Sequence, residues 1–197
     1  MRRHAAIAAL LATAAVTAVG GAGCGSPPPS DAGQFVPLQK DFAQFRSWTR
    51  FDLGLGIDPA RADGGGAIVA DGGSADAAVH VGLPRVIYLN MVPPSGSTSF
   101  PVGTILVKTT GDGTATPGET FAMAKRGGSY NAKGAAGWEW FELADATDGT
   151  PLILWRGIVP PAGEGYAGIV GGVCNECHAA FAPNDFVGSD VVSLSAF

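Results

Sequence analysis

Residues 102–110 read VGTILVKTT, a short run of branched and apolar residues that ends in a lysine and two threonines. Four more β-prone runs of this kind surround it, with turn-forming segments and no helical pattern between them. They are RVIYLN (85–90), ETFAMAKR (119–126), GWEWFELAD (137–145) and PLILWRGI (151–158). Gly, Pro, Asp and Asn fill the breaks, as they do where a chain turns. Strands at such close spacing predict an antiparallel sheet.

Two helices are predicted around these strands. In residues 37–53 (PLQKDFAQFRSWTRFDL), apolar side chains recur every three or four positions, which is the period of one helix face. They are Leu38, Phe42, Phe45, Trp48 and Phe51. A second helix is expected at 165–181. The fold class is therefore α+β, mostly antiparallel sheet with a few helices.

A loop or insertion is predicted at residues 54–80. This stretch, GLGIDPARADGGGAIVADGGSADAAVH, is rich in Gly, Ala and Asp and has room for a short strand only at 67–69.

The start of the chain has the pattern of an export signal. Two arginines precede an apolar run over 5–19, and small residues lead to Cys24. The run is shorter than the ~20 residues of a membrane-spanning helix, so a retained anchor is the weaker reading. Residues 21–24 (GAGC) resemble the lipobox of bacterial lipoproteins, with Gly21 as the departure; ordinary cleavage nearby is the alternative to lipidation of Cys24.

These features divide the chain into a signal peptide (1–23), a Pro/Ser/Gly tether (24–37) and one domain (38–197). A tether behind an acylated Cys24 would hold the domain on the periplasmic side of the cell envelope.

The charge balance argues against binding to nucleic acid. The whole chain has a formal charge of −5, from 12 basic and 17 acidic residues. Loss of Arg2 and Arg3 with the signal leaves 10 against 17, which is −7. An acidic domain with no basic run lacks the electrostatic footprint that nucleic acid requires.

The chemistry of the chain is concentrated at 174–178, which read CNECH. Zinc would need four ligands, and after removal of the signal only His80 remains as a further histidine. A thioredoxin-type pair belongs to a βαβ unit, which this chain lacks, and a disulfide across three residues closes a small loop that stabilises little. Cys-x-x-Cys-His is the signature of covalent c-type haem attachment. On one helical turn, Cys174 and Cys177 face the two haem vinyl groups and His178 the iron.

The sixth position on the iron is predicted to be open. Met91, Met123 and His80 are the side chains that would close it in an electron-transfer cytochrome. Met123 alternates with Phe121 in a predicted strand and is expected in the core. Met91 sits at a strand end before two prolines, and His80 follows the Gly/Ala/Asp-rich loop and is expected to be solvated.

Three separated stretches resemble the cytochrome P-460 family and its gas-binding relatives, the cytochromes c′-beta. They are FPVGTILVKTTGDG (100–113), MAKRGGSYNAKGAAGWEWFEL (123–143) and CNECHAAFAPNDFV (174–187). The resemblance spans roughly 38–190. It implies a mostly antiparallel β domain, often a homodimer, with one five-coordinate haem c held by Cys174, Cys177 and His178.

The same resemblance implies a role for Lys108. It corresponds to the lysine that true cytochromes P-460 cross-link to the haem ring; those enzymes oxidise hydroxylamine and pass electrons to a periplasmic partner. Relatives without the cross-link bind nitric oxide and other diatomic gases. Judged from the local sequence alone, a solvated Lys108 and one at the haem edge are equally compatible with the end of an apolar strand.

The enzymes of this family also use an acidic residue to accept protons, and no motif places that acid here. Four carboxylates lie nearby and are expected to be exposed: Glu119, Glu139, Glu142 and Asp145. Lys125 and Arg126 are expected to be solvated at a strand end. Trp138, Trp140 and Phe141 are expected to pack in the core and against the haem.

Three functions remain open from the sequence: oxidation of hydroxylamine, non-enzymatic binding of nitric oxide, and plain electron transfer.

Overall fold

The computed structural model describes residues 34–55, 84–111, 119–161, 165–166, 169–170 and 173–197. Within this part of the chain, six strands form one antiparallel sheet in which each strand pairs with the next in sequence. The strands are β1 (Thr49–Leu55), β2 (Pro84–Leu89), β3 (Ile105–Thr110), β4 (Thr120–Lys125), β5 (Trp138–Asp145) and β6 (Pro151–Gly157). The prediction of a sheet-dominated α+β fold is confirmed.

The five predicted runs coincide with β2 to β6 to within three residues at each end. The largest difference is at the start of β3, where the prediction begins at 102 and the strand at Ile105. Gly103 has a positive φ of 94°. Glycine adopts that conformation at little cost, so a turn occupies the positions before the strand.

Side chains alternate between the two faces of the sheet. One face, here called the cavity face, carries Leu106, Met123 and Trp140. The opposite face, here called the N-terminal face, carries Val107 and Phe141. Both faces are covered by other parts of the chain, which explains why the run Ile105–Leu106–Val107 is apolar without alternation: all three residues are at most 4% exposed.

Residues 35–48 cover the N-terminal face, and here the predicted helix over 38–51 is wrong beyond its first turns. A short helix α1 (Gln39–Phe42) is followed by a 3₁₀ turn (Phe45–Ser47), and β1 begins at Thr49. The break lets both Phe42 and Phe45 bury fully against the sheet. Phe51 lies in β1 opposite Ile87, where strand pairing satisfies its backbone.

The predicted helix over 165–181 is also shorter than expected. Residues Gly165–Tyr166 (β7) and Ile169–Val170 (β8) form a small antiparallel pair, and α2 runs only over Val173–Ala179. Glycines at 165, 168, 171 and 172 explain this, because each glycine costs a helix about 1 kcal/mol relative to alanine.

After α2, the C-terminal residues fold over the cavity face. Two 3₁₀ turns, Ala182–Asn184 and Leu194–Ala196, bring Val187, Val192 and Leu194 into the core on that side.

Several predictions lie outside the described residues. These are the signal peptide, Cys24 and most of the tether, together with His80 and residues 56–80 of the predicted loop. The end of the tether, 34–37, contacts the domain: Phe35 N–H donates to Arg126 O at 3.0 Å, and Pro37 is buried. Among the described helices, none has the length and apolar character that a membrane crossing requires.

Candidate functional site

A cavity lies between the cavity face of the sheet and α2. It encloses about 880 Å³ free of protein atoms, a volume that includes the open space at its mouth. Its walls are mainly apolar and aromatic, with contributions from β2 to β6, α2 and the C-terminal segment. They include Ile87, Leu106, Phe121, Met123, Trp140 and Trp155.

Helix α2 brings the three residues of the Cys-x-x-Cys-His pattern to this cavity. Cys174, Cys177 and His178 all line it, as positions i, i+3 and i+4 of one helical turn should. Cys174 also packs against the core cluster of the cavity face. The two thiols and the imidazole therefore point into the same space.

The hydrogen bonding of His178 defines its tautomer. Nδ1 lies 2.6 Å from the carbonyl oxygen of Phe186, and a carbonyl oxygen can only accept, so Nδ1 carries the proton. Burial lowers the pKa of His178, and the nearby charge of Lys108 lowers it further, although the Phe186 carbonyl opposes both effects. The neutral ring packs on Trp140 with centroids 4.5 Å apart. With the proton on Nδ1, the neutral ring has its lone pair on Nε2.

Both thiols are free and are held in their protonated form. Burial, and then the neighbouring Cys177, raise the pKa of Cys174 to about 11. Burial and Glu176 also raise the pKa of Cys177. Redox-active Cys-x-x-Cys pairs work with a lowered thiol pKa, so these surroundings do not suit thioredoxin-type exchange.

Lys108 lies on the wall of the same cavity, about 70 residues before the cysteines in sequence. Its side chain exposes surface, yet burial is the main cause of its lowered pKa, with Arg85 as the second cause. Lys108 lines the cavity, where the side chain is surrounded by protein atoms although part of it remains accessible to solvent. Glu119 acts in the opposite direction, toward a higher pKa.

The strand register places Lys108 in a row of side chains across the cavity face. Neighbours in this row are Phe51, Ile87, Lys108, Phe121, Glu142 and Trp155, one from each strand. Glu142 accepts a hydrogen bond from Trp155 Nε1 at 2.8 Å. It is therefore the carboxylate that shares the sheet face and the row of Lys108, with Phe121 between them.

Two other carboxylates of β5, Glu139 and Asp145, lie away from the cavity. Glu139 is only 2% exposed, so the expectation of an exposed residue is wrong; it binds Arg126 and Arg156 on the N-terminal face. Asp145 is exposed, as expected, and pairs with Arg46. Among the described residues that line the cavity there is no carboxylate.

The prediction that Lys125 is solvated is wrong, because its side chain is buried in an ion pair. Its Nζ donates to Asp185 Oδ1 at 2.6 Å, and both side chains are about nine-tenths buried. The partner lies 60 residues away in sequence, so no local pattern points to the pair.

Asn175, inside the Cys-x-x-Cys-His stretch, was also missed by sequence reasoning. Its Oδ1 accepts from Asn131 Nδ2, Ala135 N and Trp140 Nε1 at 2.7 to 3.2 Å. Its Nδ2 donates to Asn131 Oδ1 and to the carbonyl of Ile158. This residue joins α2 to β5 and to the loop before it.

The expected core positions of Trp138, Trp140 and Phe141 are confirmed, with exposures of 0%, 4% and 1%. Met123 is buried, as expected, and it also lines the cavity, whereas Met91 is 37% exposed. The described residues contain no group of three or more His, Cys, Asp or Glu side chains that would hold a metal ion by themselves.

Comparison with models of protein families, with curated proteins and with solved structures finds no match to this chain.

Proposed function

We propose that this protein is an exported c-type cytochrome, similar to the cytochrome P-460 family, that binds one haem in the cavity and oxidises hydroxylamine. The observation that carries the proposal is the meeting of Cys174, Cys177, His178 and Lys108 around a single apolar cavity. Four side chains that the resemblance assigns to one haem come from two distant parts of the sequence, and the fold brings them together.

The chemistry of these side chains fits a covalently held haem. Net addition of each thiol across a haem vinyl group would form a C–S bond, with the thiol hydrogen going to the other vinyl carbon, so the attachment would consume both thiols and need no other reactant. The free lone pair on His178 Nε2 suits an iron ligand, and its Nδ1–H···O=C bond is the usual support of a metal-binding histidine. Ile87, Leu106 and Met123 supply the apolar contacts that a porphyrin face requires.

A haem held by Cys174, Cys177 and His178 would supply the redox chemistry, taking up electrons from hydroxylamine for delivery to an electron-transfer protein. The protein must then remove protons, because each electron taken from hydroxylamine leaves an N–H or O–H group more acidic. Glu142 is the carboxylate in the row of Lys108 on the cavity face, although it does not line the cavity wall itself, and we assign proton acceptance to it through an intervening water. Lys108 is assigned the contact with the edge of the haem ring, which in the P-460 family becomes a covalent bond.

The alternative is binding of nitric oxide or another diatomic gas without oxidation, as in the cytochromes c′-beta. One observation favours it: the cavity wall, in the part that the structure describes, has aromatic rings but no carboxylate. A plain electron-transfer role would need a sixth ligand, for which Met123 is the side chain in the wall.

Mass mapping and spectroscopy of the full-length chain, produced with a haem maturation system, separate these functions. Haem mass on the Cys174–His178 peptide is common to all three. Haem mass also on the Lys108 peptide, with a red-shifted ferrous Soret band, supports the oxidase. A free Lys108 peptide and a five-coordinate spectrum that responds to nitric oxide support the gas binder. A six-coordinate low-spin spectrum in both oxidation states excludes both, and no haem at all contradicts the whole proposal.

Matched variants test the assigned residues. Lys108→Met should abolish the second attachment, whereas Lys133→Met, an exposed lysine, should not. Glu142→Gln should lower the turnover of hydroxylamine by at least about a hundredfold, as loss of a general base does, while haem attachment stays complete. Asp145→Asn, on the same strand but exposed, should leave turnover unchanged.

The cellular setting belongs to the same proposal. Export, lipidation at Cys24 and a place on the periplasmic side of the envelope all suit covalent haem attachment, which takes place outside the bacterial cytoplasm. A periplasmic electron-transfer protein would accept the electrons, and the resemblance also favours a homodimer. The N-terminal peptide mass of the mature protein tests lipidation directly.

A further inference from the structure

The Phe186 carbonyl that accepts from His178 Nδ1 belongs to a backbone segment with positive φ angles. Asp185 and Phe186 are consecutive residues with positive φ, 49° and 67°. Asparagine and aspartate tolerate this region, but a bulky residue such as phenylalanine is a rare occupant and is there under strain. Something in the fold must hold the segment in this conformation while Phe186 O points at His178 Nδ1.

Asp185 accepts hydrogen bonds from three buried groups. Its Oδ1 accepts from Lys125 Nζ at 2.6 Å, and its Oδ2 accepts from Phe100 N at 2.9 Å. Its own carbonyl accepts from Trp138 Nε1 at 2.8 Å. Three separate elements, β4, β5 and the segment before β3, thus bind one residue of the C-terminal segment.

Lys125 is held equally firmly. It donates a second hydrogen bond to Ala136 O at 3.0 Å, and its Nζ lies 5.0 Å from the centre of the Trp138 ring. Gly137, with φ of 82°, leaves room for it: a Cβ there would lie 3.1 Å from Lys125 Cε. A buried ion pair whose two charged groups also have further hydrogen-bond partners is a rigid support, since breaking it leaves buried charges uncompensated.

We propose that the Lys125–Asp185 ion pair positions the Phe186 carbonyl against His178 Nδ1 and thereby sets the tautomer and the orientation of the imidazole that binds iron. Lys125 and Asp185 are positioning residues: neither lines the cavity, and both act through the Phe186 carbonyl. The role toward iron rests on the proposed function, whereas the control of the His178 tautomer does not.

The first test uses the haem-free, full-length chain labelled with ¹⁵N-histidine. The signals are assigned with His4→Gln and His80→Gln variants, and the two ring-nitrogen shifts of His178 report its tautomer. The wild-type chain should show one tautomer, with the proton on Nδ1. Asp185→Asn keeps the shape of the side chain and its tolerance of positive φ but loses the ion pair, and it should shift His178 to a measurable mixture of tautomers.

The second test uses the haem-loaded chain. The iron–histidine stretching frequency of the ferrous protein depends on how strongly Nδ1–H is hydrogen-bonded, because that bond raises the basicity of the ring. We expect Asp185→Asn and Lys125→Met to lower this frequency. Trp138→Phe removes only the hydrogen bond to the Asp185 carbonyl, and it should give a smaller change in the same direction. This milder variant decides the question if the charge variants do not fold.

Glu139→Gln is the matched control. It also removes a buried, ion-paired carboxylate, but one on the opposite face of the sheet. At a comparable loss of stability it should leave both His178 readouts unchanged. The proposal is overturned if the variants at Asp185, Lys125 and Trp138 leave His178 as in wild type, or if Glu139→Gln changes it equally. If no haem attaches to the wild-type chain, the proposed function fails, and the tautomer measurement still decides the positioning role.

Discussion

At the residue scale, the stretch 174–178 has a structural role in addition to the chemical role proposed for it. Cys174, Cys177 and His178 face the cavity, while Asn175 turns toward the sheet and makes five hydrogen bonds. Glu176 is exposed. The two residues between the cysteines, which the Cys-x-x-Cys-His pattern leaves unspecified, thus differ sharply in their surroundings.

Replacement of Asn175 by alanine should therefore destabilise the protein. It leaves the indole N–H of Trp140 and the amide N–H of Ala135 without their acceptor, and each buried donor left unsatisfied costs about 1–3 kcal/mol. We expect a loss of about 2–4 kcal/mol in the free energy of unfolding, measured with urea on the haem-free chain. Glu176→Ala is the control and should change it by less than about 0.5 kcal/mol. Equal effects of the two variants would contradict this assignment.

Lys108 should react with amine reagents at lower pH than an ordinary lysine. Burial and Arg85 lower its pKa below 10.5, so the neutral, nucleophilic amine forms earlier as the pH rises. We expect acetylation of Lys108 in the haem-free chain to reach its half-maximal rate below pH 10.5, measured by peptide mass spectrometry. Lys40 and Lys133, both exposed, are internal references in the same digest. A half-maximal rate at or above pH 10.5 would contradict the prediction.

At the scale of elements, the N-terminal face of the sheet contains a buried charge cluster that ties three strands together. Glu139 on β5 binds Arg126, at the end of β4, and Arg156 on β6. Arg156 also donates to the carbonyl of Pro37 at 2.6 Å. The cluster thus joins the last three strands to the segment that precedes α1.

Removal of Glu139 should leave Arg126 and Arg156, whose side chains are only 15% and 31% exposed, without the carboxylate that they share. We expect Glu139→Ala to lower the free energy of unfolding by about 3–5 kcal/mol, the usual cost of breaking a buried pair. Asp145→Ala breaks the Arg46–Asp145 pair, whose side chains are 47% and 46% exposed. It should cost less than about 1 kcal/mol. Urea unfolding of both variants checks the contrast, and a small effect at Glu139 would show that the cluster is not needed for stability.

At the scale of the whole molecule, the six-stranded sheet separates the two hydrophobic clusters found among the described residues. The N-terminal segment covers one face, with Phe42 and Phe45 as its main buried side chains. The C-terminal segment and α2 cover the other face and enclose the cavity. The site and the N-terminal packing are therefore on opposite sides of the sheet, and each can be perturbed separately.

A pair of truncations tests where the folded domain begins. A chain that starts at residue 39 loses the Phe35–Arg126 hydrogen bond, the burial of Pro37 and one acceptor of Arg156. We expect it to be less stable by about 2–4 kcal/mol than a chain that starts at residue 34, since several buried polar groups lose partners. Urea unfolding measures the difference. Equal stability of the two chains would show that 34–38 belong functionally to the tether.

The strands were predictable because their signals are local. Runs of β-branched and aromatic residues between Gly- and Pro-rich turns specify β2 to β6 without any knowledge of their neighbours. The first helix was mispredicted because the period of its aromatic residues continues through Phe51, and only the pairing of β1 with β2 shows that Phe51 belongs to a strand. The burial of Glu139 and Lys125 depends on partners far away in sequence, so their polar character suggested exposure instead.

The sequence by itself determined the fold class, the positions of β2 to β6 and the composition of the Cys-x-x-Cys-His stretch, because each depends on residues that are neighbours along the chain. Only the tertiary structure decided that Lys108 shares a cavity with that stretch and that Glu142 lies in the row of Lys108. It also decided that the proton of His178 is on Nδ1. These facts depend on register between strands and on one carbonyl held by a buried ion pair, and both arise from packing that no local pattern encodes.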